Sequence, residues 1–156
     1  VSQLLWAAQG ITHPRGLRTA PSAGALYPLE LYLVAGRVDD LPAGLYHYRP
    51  DGQQLTLLHT GDLRDRLAQA ALGQAWLADA AITVVFAAVH DRTARKYGQR
   101  AARYVHVEAG HAAQNLFLQR IPQTTNLFKL KYRLLFSLKR IRNLPEGCIN
   151  IYEKLR

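Results

Sequence analysis

The sequence predicts an α+β domain in which helices pack on a β-sheet. Residues 29–35 (LELYLVA) alternate as a half-buried strand does, and residues 81–89 (AITVVFAAV) are apolar throughout with a β-branched centre, as in a buried central strand. A run from Arg95 to Arg120 carries an alanine-rich face at helical spacing. With 156 residues, 49% of them hydrophobic, the chain is long enough for one domain with its own core.

Charge and composition divide the chain into two parts. The formal net charge is +9, but residues 1–119 contribute only +2 and residues 120–156 contribute +7. Alanine is abundant in the first part and absent from the second. We therefore predict a domain over residues 1–119 and an atypical basic tail over residues 120–156, and we hypothesise that the tail is frameshifted or otherwise non-native. Because the excess charge belongs to the tail, it does not predict a nucleic-acid partner.

Several classes of protein are excluded by short patterns. The longest apolar run, Ala80–Val89, is far below the roughly 20 residues of a membrane-spanning helix, and residues 1–10 show no secretion signal. A single cysteine, Cys148, excludes an internal disulfide framework. The histidines show no metal-binding spacing, so no metal site is expected. We predict a cytoplasmic protein without a membrane span.

The first predicted element is a short helix over Val1–Gln9, which Gly10 would end. A loop over Thr12–Thr19 follows and contains Arg15 and Arg18. Either guanidinium could bind a phosphate through bidentate contacts. Arg18 is the stronger candidate, since it stands beside the turn that comes next.

A turn of small residues, Pro21–Ala25, leads into the strand over residues 29–35. Gly24 permits backbone angles that other residues resist, and Ser22 offers a hydroxyl. Main-chain groups of such a turn can approach a flat ring closely. From the residues alone, the turn is either a ligand site or simply the loop before a strand.

A hairpin and a helix are predicted next. Residues 45–48 and 55–58 flank a Pro50-Asp51-Gly52 turn signal, which indicates a β-hairpin. Residues 62–72 predict an amphipathic helix. Its apolar face consists of Leu63, Leu67, Ala70 and Ala71, and the residues off that face include Arg64, Asp65 and Gln69.

The long helix predicted over Arg95–Arg120 would end before Pro122, which cannot continue it. Its predicted packing face is Ala101, Ala102, Val105, Ala109, Ala112, Ala113 and Leu116. The boundary of that face is predicted to be a polar rim of Tyr97, Tyr104, Glu108, His111 and Asn115.

The tail predicts a basic amphipathic helix over Asn126–Arg142. Its apolar face would consist of Leu127, Leu130, Leu134, Leu138 and Ile141. Such a helix can lie on an anionic membrane or in the groove of a partner. The alternative is an extension that never folds.

Four stretches resemble one family of flavoproteins. They are RTAPSAGALYPLELYLV, LLWAAQGIT, KYGQRAARY and VEAGHAAQNLFLQ, and together they cover nearly the whole of residues 1–119. They are similar to the nitroreductase-like flavoproteins, in particular to the azoline dehydrogenases called SagB-type. The resemblance implies an α+β nitroreductase-like fold with an antiparallel-type sheet and a homodimer that binds FMN at the subunit interface. The family's phosphate clamp and its later cofactor-binding segment are not found, so the domain is expected to be incomplete at both ends.

The resemblance also implies an activity. Azoline dehydrogenases use FMN to oxidise thiazoline and oxazoline rings of peptides to thiazoles and oxazoles in peptide natural product biosynthesis. The expected substrate is a peptide or small molecule, with cyclodehydratases of the same pathway as partners. Lys96 and Tyr97 match the catalytic pair of this branch. The cofactor-binding residues that carry over are Arg18, Pro21, Ser22, Ala23, Gly24 and Leu26.

The reaction explains the need for a base. Aromatising an azoline removes a proton from one ring carbon and a hydride from its neighbour, and the flavin takes only the hydride. Lys96 would act as a base in its neutral form, which burial and nearby Arg100 or Arg103 would favour. Tyr97 would orient the lysine or relay the proton.

Two other functions stay open. One is a different flavin reductase of the same fold, which would oxidise NAD(P)H and reduce nitroaromatic compounds. The other is an inactive truncated homologue with a basic amphipathic tail. The sequence motifs of other enzyme classes are absent. No GxGxxG motif for dinucleotide binding follows a strand, and neither a Walker-type phosphate loop nor the zinc-binding HExxH motif occurs.

Overall fold

The computed structural model describes residues 1–120 and 132–140 and confirms the α+β prediction. Helices flank a five-stranded sheet with the order β3-β2-β1-β4-β5. The helices are α1 (Ser2–Gln9), α2 (Arg64–Ala70), α3 (Trp76–Asp79), α4 (His90–Tyr97) and α5 (Ala101–Arg120). The strands are β1 (Leu29–Ala35), β2 (Gly44–Arg49), β3 (Gln54–Thr60), β4 (Ile82–Ala88) and β5 (Tyr132–Arg140).

Four of the strands form an antiparallel sheet. β1 pairs with both β2 and β4, and β2 continues into β3 through the predicted hairpin, whose turn is a short 3-10 segment at Asp51–Gln53. β5 joins the outer edge of β4 in parallel. Among the described helices, none is long and apolar enough to cross a membrane.

The core lies on both faces of the sheet. Leu31 and Leu33 of β1 belong to the cluster that α1 and α5 cover, whereas Tyr32 and Val34 belong to the cluster beneath α2 and α3. The prediction of a half-buried β1 is therefore wrong, because helices cover its two faces. Glu30 is the one residue of β1 that is not fully buried.

The predicted packing face of α5 is confirmed except at one position. Ala102 is exposed, while the buried members are Ala101, Val105, Ala109, Ala112, Ala113 and Leu116. Glu108 was predicted as polar rim but is buried with 5% exposure. Its carboxylate therefore needs hydrogen-bond donors from the protein, because it is withdrawn from water.

The helix predicted over Arg95–Arg120 is in fact two helices. α4 ends at Tyr97, and a 3-10 segment at Gly98–Arg100 precedes α5. Gly98 has a φ of +54°, which glycine adopts readily and which interrupts a helix. Lys96 and Tyr97 therefore lie at the end of α4 and not at the start of the long helix.

Two other predicted helices need correction. In α2 the predicted apolar residue Ala70 is exposed, and Arg64 is buried because it binds the carboxylate of Asp62 and the carbonyl of Ala80. The helix predicted over Asn126–Arg142 is wrong at residues 132–140, which form β5, and its other residues lie outside the described ones. The free edge of β4 offers backbone hydrogen bonds to any extended segment, which outweighs a helical pattern.

Candidate active site

The small-residue turn presents its backbone to solvent. Ala23–Ala25 form a 3-10 segment with Gly24 at a φ of +63° and Ala25 at +53°. The Ala25 N–H donates to the carbonyl of Ser22 at 3.0 Å, and the Tyr27 N–H donates to the Ser22 hydroxyl at 2.9 Å. Gly24 and Ala25 are exposed. The turn is thus fixed from within and open on its outer side.

Glu108 of α5 holds the beginning of the turn. Its Oε1 accepts the Ala23 N–H at 2.9 Å, and its carboxylate is also hydrogen-bonded to the Ser22 side chain. Burial raises the pKa of Glu108, and the two hydrogen bonds and the charge of His111 offset only part of this effect. Sequence reasoning missed this residue, because a polar residue beside a packing face is usually solvated.

Lys96 and Tyr97 lie against the turn. A Cβ atom on Gly24 would come within 2.9 Å of the Tyr97 hydroxyl and 3.0 Å of Lys96 Nζ. The Tyr97 ring packs edge to face on Tyr104, with 4.8 Å between ring centroids. The side chain of Lys96 is exposed, so the burial expected for it is not provided by the described residues of this chain.

Arg18 lies beside the other end of the turn. Its guanidinium stands 4.7 Å from the centroid of the Tyr27 ring, and Nη1 donates to Gln9 Oε1 at 2.9 Å. Burial lowers the pKa of Arg18, with the charge of Glu30 opposing this and that of Arg92 adding to it. Arg15, the weaker candidate, is exposed.

Glu30 anchors the end of the turn through Arg92. Its carboxylate forms an ion pair with Arg92 and a hydrogen bond of 2.8 Å with His47 Nε2. Arg92 Nη1 in turn donates to the carbonyl of Tyr27 at 2.9 Å. Burial alone would raise the pKa of Glu30, but the hydrogen bonds from His47 and Arg92 and their charges lower it. The only sequence signal for this cluster was a glutamate within an apolar strand.

A cavity of about 560 Å³ opens where β1 begins and β2 ends. Arg18, Leu26 and Tyr27 line it, together with Glu30 and Tyr48. The predicted site residues thus fall into two groups. Gly24 meets Lys96 and Tyr97 at the turn, whereas Arg18 and Leu26 border the cavity. In the described part of the chain, no group of His, Cys, Asp or Glu is placed to hold a metal ion.

Comparisons with known proteins identify relatives of this chain. The family model described as "Nitroreductase family" matches residues 1–120. Putative nitroreductase MJ1384 of Methanocaldococcus jannaschii is 44% identical over 118 residues, which make up 76% of this chain and 60% of that protein. The chain therefore spans about 60% of the length of this curated relative.

Solved structures show the same fold. The crystal structure of a putative nitroreductase from Anabaena variabilis is 33% identical and superposes with a TM-score of 0.69, over 76% of this chain and 26% of that one. The E. coli microcin synthetase McbBCD complex, with truncated pro-MccB17 bound, contains a chain that is 27% identical with a TM-score of 0.67. That match covers 79% of this chain and 48% of the other.

Proposed function

The chain belongs to the nitroreductase family, and we propose that it is part of an FMN-dependent azoline dehydrogenase, which oxidises thiazoline or oxazoline rings of peptides to thiazoles or oxazoles. The observation that carries the proposal is the contact of Lys96 and Tyr97 with the exposed turn at Gly24. The similarity to a chain of a synthetase complex with a bound precursor supports a peptide as the substrate.

The residues of the turn fit a flavin. A flat ring system needs an exposed surface without projecting side chains, and Gly24 and Ala25 offer one. The space that a Cβ on Gly24 would take is bordered by Lys96 Nζ and the Tyr97 hydroxyl, so a ring there would meet two polar groups. We propose that Pro21, Ser22, Ala23, Gly24 and Leu26 contact the ring and that Arg18 binds an anionic part of the cofactor.

The proposed mechanism divides the work between the cofactor and the chain. FMN, when bound, supplies the acceptor for the hydride of the azoline ring. Lys96 Nζ, as the neutral amine, takes the proton from the neighbouring ring carbon. The Tyr97 hydroxyl orients that amine or passes the proton on. Ser22 and Glu108 hold the turn through the Tyr27 and Ala23 amides, so that Gly24 keeps its place beside Lys96.

We propose a homodimer for the complete enzyme. Val107, Phe117 and Leu118 of α5 are large apolar side chains that are exposed in the single chain. Covering them would bury apolar surface, and a second subunit over the turn would also shield Lys96 from solvent. Cyclodehydratases of the same pathway are the proposed further partners.

A second candidate function is an NAD(P)H-dependent nitroreductase of the wider family. It is favoured by the names of the relatives from M. jannaschii and A. variabilis, both of which are called putative nitroreductases. Such an enzyme needs no base for a ring proton. The role of Lys96 therefore separates the two candidates.

The test uses the full chain loaded with FMN and a thiazoline-containing peptide. We expect thiazole formation, which lowers the peptide mass by two hydrogens. The Lys96→Ala substitution should reduce kcat by about 100-fold to 10,000-fold, as expected for the loss of a general base. Tyr97→Phe should give a smaller fall. FMN binding, followed by visible absorbance, should persist in both variants.

Arg95→Ala is the matched control, because Arg95 is an exposed cation next to Lys96 on α4. It should leave turnover unchanged. Oxidation of NAD(P)H with a nitroaromatic acceptor and no azoline turnover would favour the second candidate. Absence of flavin absorbance after FMN loading would contradict both and favour an inactive homologue.

A further inference from the structure

Tyr48, which lines the cavity at the end of the sheet, carries a buried hydroxyl group without a partner. Tyr48 of β2 is 2% exposed, and its hydroxyl has no hydrogen-bond partner among the described residues. Tyr46, two residues earlier on the same strand, is also buried, and its hydroxyl donates to the carbonyl of Pro42 at 2.7 Å. Buried hydroxyl groups normally find a partner, so the state of Tyr48 points to a group that binds in the cavity.

The same cavity holds a guanidinium whose charge is not paired. Arg18 is partly buried, and none of the ion pairs within the described residues involves it. The nearest acidic influence is Glu30, but that carboxylate is already engaged by Arg92 and His47. The cavity is lined by three arginines, Arg18, Arg49 and Arg92, and by two carboxylates, Glu30 and Asp51, which leaves one positive charge to be balanced.

Arg18 and Tyr48 line the same cavity. Burial raises the pKa of Tyr48, and the charge of Arg18 opposes that shift. Both residues line the cavity, whose volume of about 560 Å³ leaves ample room for a carboxylate or phosphate group. Asp51, which also lines the cavity, is exposed and lies in the β2-β3 turn.

We propose that this cavity is a binding site for an oxyanion, a carboxylate or a phosphate, which Arg18 binds by its charge and Tyr48 by donating its hydroxyl. Such a ligand would satisfy both groups at once. The site itself does not depend on the redox chemistry. Only the source of the oxyanion rests on the proposed function, as either the phosphate of the cofactor or a carboxylate of the substrate.

The first test measures the thermal unfolding of the full chain in inorganic phosphate, in acetate and in chloride of equal ionic strength. Wild type should melt higher in at least one oxyanion than in chloride. Tyr48→Phe should weaken the affinity for that oxyanion by about tenfold, as for loss of a hydrogen bond to a charged group. In chloride this variant should melt at or above the wild-type temperature, because it removes an unpartnered buried hydroxyl.

Tyr46→Phe is the matched control and behaves in the opposite way. It should melt lower than wild type in every salt, since it leaves the Pro42 carbonyl without its donor, and it should keep the oxyanion effect. The proposal is overturned if wild type shows no oxyanion effect, if Tyr48→Phe keeps the full effect, or if Tyr48→Phe melts well below wild type in chloride.

The source of the oxyanion is identified by comparing ligands. If it is the cofactor phosphate, Tyr48→Phe weakens the binding of FMN and leaves that of riboflavin unchanged. If it is a substrate carboxylate, the variant raises KM for a carboxylate-bearing azoline and leaves kcat unchanged. A chain that binds no flavin but retains the phosphate or acetate effect would refute the proposed function and leave the oxyanion site standing.

Discussion

Two glutamates, the buried Glu108 and the partly buried Glu30, hold the two ends of the same turn, and their pKa values shift in opposite directions. Glu108 binds the first residues of the turn through Ser22 and Ala23, and its pKa is raised. Glu30 fixes the end of the turn through Arg92 and the carbonyl of Tyr27, and its pKa is lowered. Burial favours the neutral acid at both positions, so the difference comes from what surrounds each carboxylate.

The hydrogen bond from His47 and the charge of Arg92 decide the difference between the two pKa values. Glu30 has Arg92 as an ion-pair partner and His47 at 2.8 Å, which together outweigh the loss of hydration. Glu108 has only the neutral donors of Ser22 and Ala23 and the weaker influence of His111. The Glu30 side of the turn is therefore an ionic anchor, whereas the Glu108 side is held by hydrogen bonds from Ser22 and Ala23.

The largest effect on stability is expected from Glu30→Gln. The change leaves Arg92 without a counter-charge, and we expect a loss of about 2–3 kcal/mol, below the range for fully buried pairs because Arg92 is about a third exposed. Urea unfolding at pH 7 measures the loss. Asp51→Asn, which removes an exposed carboxylate from the same cavity, should change stability little. Equal losses in the two variants would refute the ionic anchor.

An intermediate effect is expected from Gly24→Ala, which alters the turn that both glutamates hold. A φ of +63° should cost about 1–2 kcal/mol with alanine, and the new methyl group would press on Lys96 and Tyr97. We expect urea unfolding to show that loss and FMN titration to show weaker binding.

The Gly52→Ala variant separates the cost of backbone strain from the effect of a methyl group that presses on Lys96 and Tyr97. Gly52 has a similar φ of +69°, but the three atoms nearest to a methyl group there all belong to the side chain of Gln54. It should lose similar stability and keep FMN binding. If both variants bind FMN as wild type does, the turn is not the flavin surface.

The smallest effect is expected from Glu108→Gln, which keeps an acceptor for Ala23 and removes the buried charge. A raised pKa means that the folded state favours the protonated acid. The contribution of Glu108 to folding stability is therefore fully present below the ordinary pKa of 4.5 and is lost as the pH rises through the raised pKa. At pH 7 the variant should therefore be as stable as wild type or more stable, by less than about 1 kcal/mol.

A pH series of unfolding free energies compares the two glutamates directly. The stability of Glu108→Gln relative to wild type should increase from pH 4 to pH 7. The deficit of Glu30→Gln should be greatest near neutral pH and shrink as the pH falls below 4.5, because a lowered pKa gives stability that is lost in acid. Identical slopes in the two variants would contradict opposite shifts.

Much of the fold could be predicted because its signals are local. The alternation of residues 29–35 and the apolar run at residues 81–89 locate β1 and β4 to within one residue, and the Pro50-Asp51-Gly52 signal locates the β2-β3 hairpin. The break at Gly98 was missed, since a glycine within a helical pattern can be either an interior residue or an end. β5 was missed because strand pairing along β4 is a long-range interaction.

The candidate site was predictable only in part. The resemblance to the family named Gly24, Lys96 and Tyr97 as parts of one site, and these residues do meet, although their roles stay predictions. Glu108 and the Glu30 cluster were not predicted. A polar residue near an apolar face looks the same in sequence whether it is solvated or buried with partners.

The sequence by itself determined helix α1, the four strands of the antiparallel sheet and the family to which residues 1–120 are similar, because periodicity and short motifs act between neighbours along the chain. Only the tertiary structure decided which polar groups meet. Glu108 reaches Ala23, Arg92 reaches Glu30, and Tyr48 is left without a partner. Such contacts join residues far apart in sequence. The packing of the helices on the sheet therefore decides which of these polar side chains are buried and which find a hydrogen-bond partner.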